Sequence, residues 1–203
     1  VVTTSRTLVG TPAIVSASLA PVFFIGGTIV GGLSWPAYDP VRQSISELAA
    51  LDAPTRVFTT VIFVLAGLCH ITTTIFARGI GMPGRIAYFG GALASLAVAA
   101  FPLPNLVGTS LPHKIAATIG FILLAAWPLL GIRRGSGFPW AVRPAGAIIG
   151  AAVMTVLCLW FLAVWATPAL GYVGLIERIA ADAETVWPLI VVITLARHRK
   201  KAG

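Results

Sequence analysis

Residues 145–167 read AGAIIGAAVMTVLCLWFLAVWAT, twenty-three positions without an Asp, Glu, Lys or Arg. A helix that crosses the roughly 30 Å hydrocarbon core of a bilayer needs about 20 consecutive apolar residues, and this stretch supplies them. Lipid offers the backbone no hydrogen-bonding partner, so each span must satisfy its own N–H and C=O groups and is therefore helical. Four similar runs precede it, at 12–34, 57–77, 86–103 and 115–132, and one follows, ending at Ala196. The alternating pattern of a membrane β-barrel is absent. The expected fold is all-α: a polytopic six-helix transmembrane bundle forming one integral membrane domain over residues 1–203.

Composition agrees. Of 203 residues, 58% are hydrophobic and 10% are charged, against roughly 25% charged in an ordinary soluble domain. Mean hydropathy is +0.95. These values exclude a soluble globular protein, a disordered chain and a collagen-like repeat. The net charge of +8 does not imply a nucleic-acid partner, because the bases form short clusters between apolar runs and no basic stripe. Membrane lipids are the expected partners. Cys69 and Cys158 fall inside apolar runs, where a free thiol behaves as a small hydrophobe. With no CxxC or Cys/His cluster, neither a metal nor a cofactor is expected. The first run is too long for a signal-peptide core and reads as a retained helix.

Six spans put both termini on one side. That side carries ten basic residues (Arg6, Arg78, Arg85, Arg133, Arg134, Arg143, Arg197, Arg199, Lys200, Lys201), and the other carries Arg42, Arg56, Lys114 and Arg178. The positive-inside rule then predicts cytoplasmic termini and a basic face suited to anionic lipid. All six acids, Asp39, Glu47, Asp52, Glu177, Asp182 and Glu184, fall on the opposite side. The small-residue pairs Gly27/Gly31 and Gly146/Gly150 predict close helix packing within the chain.

The first outer loop, WPAYDPVRQSISELAALDAPTR at 35–56, holds most of the polar chemistry. Asp39 before Pro40 predicts a helix start. Val41, Ile45 and Leu48 then recur on one helical face, while Gln43 and Glu47 share another. Asp52 and Pro54 read as the cap and first turn of the second span. An ordered short helix at the membrane surface is expected, either sealing the bundle or lining a site.

The last span poses a length problem. From Glu184 to Ala196 a helix rises only about 18 Å, too little to cross. A start near Gly174 gives a span of 174–196, but it places Glu177, Arg178, Asp182 and Glu184 inside the outer half. Ionisable groups at that depth normally face the bundle interior or a wet cavity. Arg178 and Asp182, four apart, can pair, which would make a salt-bridged outer cap; Glu177 and Glu184, seven apart, share a face. His113 stands at the start of the fourth span, where the helix dipole favours a neutral imidazole. His70, beside Thr72–Thr74 in the second span, is expected to bond between helices, and Pro102 and Pro104 to stop the third.

The blocks YDPVRQSISELAALDAPTRVF, FPLP, PHKIAA, GLIER and TVWPL together resemble an uncharacterised prokaryotic membrane-protein family catalogued as domain of unknown function 998. The resemblance runs from the first span to the sixth. It differs at Ala49, where that family often has Gly after SEL. It implies a multi-pass protein of a bacterial or archaeal plasma membrane and supplies no reaction.

Two functions remain open from the residues. In the first, an outer-facing polar pocket built from Asp39, Arg42, Glu47, His113, Glu177, Arg178, Asp182 and Glu184 binds a lipid headgroup, a small solute or a partner subunit. A carrier fits less well, because no internal repeat is visible. In the second, Ser44 or Ser46 is a nucleophile, His113 its base, and Glu47 or Glu177 the orienting carboxylate of a lipid-modifying or hydrolytic enzyme. A metal site of His113 with Asp39, Glu47 and Glu177 ranks below both, since no spaced ligand pair exists.

Overall fold

A computed structural model describes residues 7–201 of the chain. Arg6, used in the orientation argument, lies outside the described residues, as do the side chains of residues 199–201. Among the described residues there are six long helices and no strand: α1 Thr11–Leu33, α2 Arg56–Phe76, α3 Met82–Ala100, α4 Leu111–Leu130, α5 Pro144–Trp165 and α6 Val173–Lys201. Five of them, all but α3, are long and apolar enough to cross a membrane. The remaining helix, α3, has nineteen residues, but Pro83, Gly84 and Arg85 occupy its first turn and Ala and Gly fill much of the rest.

Local sequence sets the boundaries. The third helix starts four residues before the expected 86, because Pro83 in a first turn loses no hydrogen bond. It ends at Ala100, short of the expected 103, ahead of Pro102 and Pro104. In α1, Pro21 lacks the N–H that a regular helix needs, and a π-helical turn at Val22–Gly26 follows it.

The packing is inverted relative to a soluble bundle. In α5 the buried face is Gly146, Ala147, Gly150, Ala151, Met154 and Val164. Ile148, Ile149, Val153, Val156, Leu159 and Leu162 point outward, each at least half exposed. Small residues let helix backbones approach, while large apolar ones face a medium as apolar as themselves. A Cβ on Gly27 would strike Ile62 of α2, and one on Gly150 would strike Trp187 of α6. Both small-residue pairs therefore serve packing within the chain, as the sequence predicts.

Backbone hydrogen bonds tie the loops into two ends. At one, Gly10 N–H bonds Phe76 C=O, Gly79 N–H bonds Leu8 C=O, and Gly81 N–H bonds Gly131 C=O. At the other, Leu51 N–H bonds Leu103 C=O, and Leu175 N–H bonds Val41 C=O. We call these the basic and the acidic end. A large core around Tyr88, Trp127, Val191 and Leu195 fills the basic end. A smaller one, with Ile45, Ile62 and Phe63, lies at the acidic end.

Candidate functional site

The loop between α1 and α2 is ordered, but its helix does not begin at Asp39. Asp39 Oδ1 instead accepts the N–H groups of Val41 at 2.9 Å and Arg42 at 3.3 Å, a side-chain turn that competes with helix. The helix is a single 3₁₀ stretch, Ile45–Ala49, capped by Ser44. Ser44 Oγ accepts the Glu47 N–H, and Glu47 Oε1 accepts the Ser44 N–H at 2.9 Å, a reciprocal cap. Gln43 donates to Glu47 Oε2 at 2.9 Å, as their shared face suggested. Nor do Asp52 and Pro54 open the second span. Helix α2 starts at Arg56, after Thr55, whose hydroxyl donates to Leu48 C=O at 2.8 Å.

This loop is seated on the start of α6, which runs from Val173 and so resolves the length problem of the last span. Gly174 is needed there, because a Cβ would fall on the Gln43 carbonyl. The Arg178–Asp182 ion pair does not form. The Arg178 guanidinium turns to the loop, donating to the carbonyls of Pro40 at 3.0 Å and Gln43 at 3.1 Å, to that of Gly174, and to the Tyr38 hydroxyl. A planar fork with five donors gains more from several converging carbonyls than from one carboxylate. Tyr38 passes the contact on, donating to Ser44 C=O at 2.8 Å. Burial pushes its phenol up to about 12, against the opposing pull of Arg178. Asp182 Oδ1 is left buried without a partner among the described residues.

Glu177 completes the seat. Its Oε2 accepts the Ile45 N–H, the first orphan donor of the 3₁₀ turn, at 2.7 Å. One residue on, Ser46 lies 3.0 Å from His113 Nε2. The other ring nitrogen, Nδ1, is 2.8 Å from the Phe101 carbonyl. A carbonyl only accepts, so in the neutral imidazole Nδ1 carries the proton and Nε2 accepts from the Ser46 hydroxyl. Of the two candidate serines, Ser46 meets the histidine while Ser44 and Glu47 are bonded to each other. The group orienting His113 is a backbone carbonyl, which side-chain spacing gives no means of finding.

Beneath this turn a cavity of about 110 Å³ runs into the bundle. Its polar lining includes Ser46, Glu177, Glu184 and His70; Phe24, Phe63 and Phe121 supply apolar wall, and among the described residues no Lys or Arg lines it. Glu177 and Glu184 are 8% and 3% exposed, so the pair that shares a face of α6 faces inward. Cys158, more than a hydrophobe, donates its thiol to Glu184 Oε1 at 3.3 Å. His70 Nδ1 pairs with the Tyr88 hydroxyl at 2.6 Å, the expected bond between helices. Among the described residues, Glu184 Oε2 and His70 Nε2 have no protein partner. Of the eight expected pocket residues only Glu177 and Glu184 line the cavity; Glu47, His113, Arg178 and Asp182 do not, nor do Asp39 and Arg42, which form an exposed ion pair at 3.7 Å, of a kind that contributes little.

Apolar outer faces, buried small residues and a polar interior define a multi-pass helical membrane protein. Residues 18–194 match the family described as "Protein of unknown function (DUF998)", and the chain belongs to that family. No curated protein and no solved structure matches it.

Proposed function

We propose that this protein binds a small amphiphile in the cavity beneath the Ile45–Ala49 turn, with an amine or hydroxyl head donating hydrogen bonds to Glu184 and Glu177. The observation that carries this reading is a pair of buried carboxyl groups facing a cavity that no Lys or Arg among the described residues lines. Ionisable groups at membrane depth are costly and mark sites by default. Two carboxyl groups in a lining without Lys or Arg favour a hydrogen-bond donor and disfavour phosphate or carboxylate heads. Aromatic walls suit both a hydrocarbon body and an ammonium. The volume fits a few carbons and a head, since one water occupies about 30 Å³ in the liquid. The reading includes six crossings of a prokaryotic plasma membrane, with cytoplasmic termini and the cavity towards the outer face.

Calorimetry on the purified protein tests this with butylamine, 1-butanol and butyrate. The amine binds best and butyrate least. Glu184→Gln lowers the preference for amine over alcohol by about tenfold, the effect of one charge-assisted hydrogen bond. Equal binding of all three, unchanged in the variant, contradicts the reading.

One observation favours a second reading, hydrolysis. Ser46 Oγ lies within hydrogen-bonding reach of a base whose tautomer the Phe101 carbonyl fixes. In that reading Ser46 Oγ attacks an ester carbonyl as His113 Nε2 takes its proton and returns it to the leaving alcohol; water, giving a proton to the same nitrogen, then attacks the acyl-serine ester and releases the acid, the proton returning to Ser46 Oγ. A fluorophosphonate probe that labels Ser46, with labelling lost in His113→Ala, supports it. No labelling of Ser46 at millimolar probe leaves binding as the function.

A further inference from the structure

At the opposite, basic end, a second cavity of about 470 Å³ is bounded by Thr7, Leu8, Arg78, Met82, Arg85, Arg133 and Phe138. Three arginines line it, and none of the chain's six acids does. Two of the three are fixed by the backbone. Arg85 Nε donates to Thr74 C=O at 2.7 Å and its Nη2 to Ile75 C=O at 2.8 Å, closing the last turn of α2. Arg133 Nε donates to Gly79 C=O at 3.3 Å, its Nη2 reaches the Arg78 and Ile80 carbonyls, and its guanidinium carbon lies 5.3 Å from the Phe138 ring centre. Among the described residues Nη1 of each has no partner, and Arg78 makes no side-chain hydrogen bond. The carbonyls of α2 and the turn after it therefore hold two guanidinium groups in place, while donors on all three remain unused. Like charges gathered without an acid repel, and a bound anion relieves that repulsion. Guanidinium forks match phosphate oxygens geometrically. Leu8, Met82 and Phe138 add an apolar wall beside them.

We infer that the Arg78–Arg85–Arg133 cavity is a phosphate-binding site, filled by the phosphodiester head of an anionic lipid or by a free phosphate compound. The site is independent of the acid-lined cavity. Its location, where α2 ends, α3 begins and α4 ends, puts it at the level of lipid phosphates if the bundle spans a bilayer.

The test is native mass spectrometry of the whole protein released from nanodiscs of equal phosphatidylglycerol and phosphatidylcholine. The site predicts selective retention of phosphatidylglycerol. Arg78→Glu, which removes no helix-closing bond, reduces that retention by about tenfold, and Arg78→Lys largely restores it. Millimolar inorganic phosphate or glycerol phosphate that displaces the lipid marks a site for phosphate in general; failure to displace it marks a lipid site. If Arg78→Glu folds poorly, salt replaces it as the probe, since retention of a charge-held lipid falls as ionic strength rises. Equal retention of the two lipids by the unaltered protein, or retention unchanged in Arg78→Glu, overturns the inference.

Discussion

Tyr38 shows how one side chain joins loop to helix. Its ring lies 5.4 Å, centre to centre, from that of Trp35 and 5.3 Å from the Arg178 guanidinium carbon. Its hydroxyl bonds Ser44 C=O, which holds the capped turn against α6. Burial raises its folded pKa to about 12 from an ordinary value of 10. A raised pKa means that the neutral phenol is favoured by folding. Its contribution to seating the loop is thus complete below about pH 10 and is lost as pH climbs towards 12. Absorbance titration of tyrosinate should show a phenol ionising near pH 12 that disappears in Tyr38→Phe. A titration unaltered by that substitution contradicts the buried, Arg178-bound hydroxyl.

The polar residues were unequally legible in the sequence. Glu177 and Glu184 stood out because a span of adequate length had to include them. His113 stood out by its place at a helix start. Which serine it would meet was not legible, because Ser44 is withdrawn by its cap with Glu47 and only the path of the turn brings Ser46 round. Arg178 misled for a similar reason. Spacing along α6 points to Asp182, whereas the carbonyls that win come from a loop more than 130 residues away. Apart from Glu184, the deep polar lining at His70 carried no sequence sign of a cavity.

At the scale of elements, composition was a sound guide and local boundaries were not. Every apolar run became a helix; Gly27 and Gly31 pack against α2 and Gly150 against α6, while Gly146 packs on the Trp140–Val142 turn ahead of its own helix. The starts of α3, α4 and the loop helix moved because caps and prolines act over single turns, which hydropathy averages away. The α5–α6 contact gives a direct check. A Cβ at Gly150 meets the Trp187 ring, which cannot swing aside as a flexible chain can. Gly150→Ala should therefore cost about 1–3 kcal/mol, the range for overpacking a close contact. Thermal unfolding in detergent measures it, with Gly137→Ala as control, since a Cβ there meets nothing within 4 Å. Equal losses from the two substitutions would count against the close approach of α5 to α6.

Across the whole molecule, polar chemistry is divided between two ends with opposite tasks. Arginines at the basic end close helix termini and leave donors facing a cavity. Carboxyl groups at the acidic end support a turn and line an interior space. The division explains why the net charge of +8 says little about either site. The central claim is that the α6 carboxyl groups face an accessible interior cavity rather than lipid or a closed core. An apolar carbodiimide, applied to the protein in membranes and mapped by peptide mass spectrometry, addresses it most directly. Modification of Glu184 or Glu177 is expected. Modification confined to Asp39, Glu47 and Asp52 in the loop, with neither α6 glutamate labelled, would contradict it.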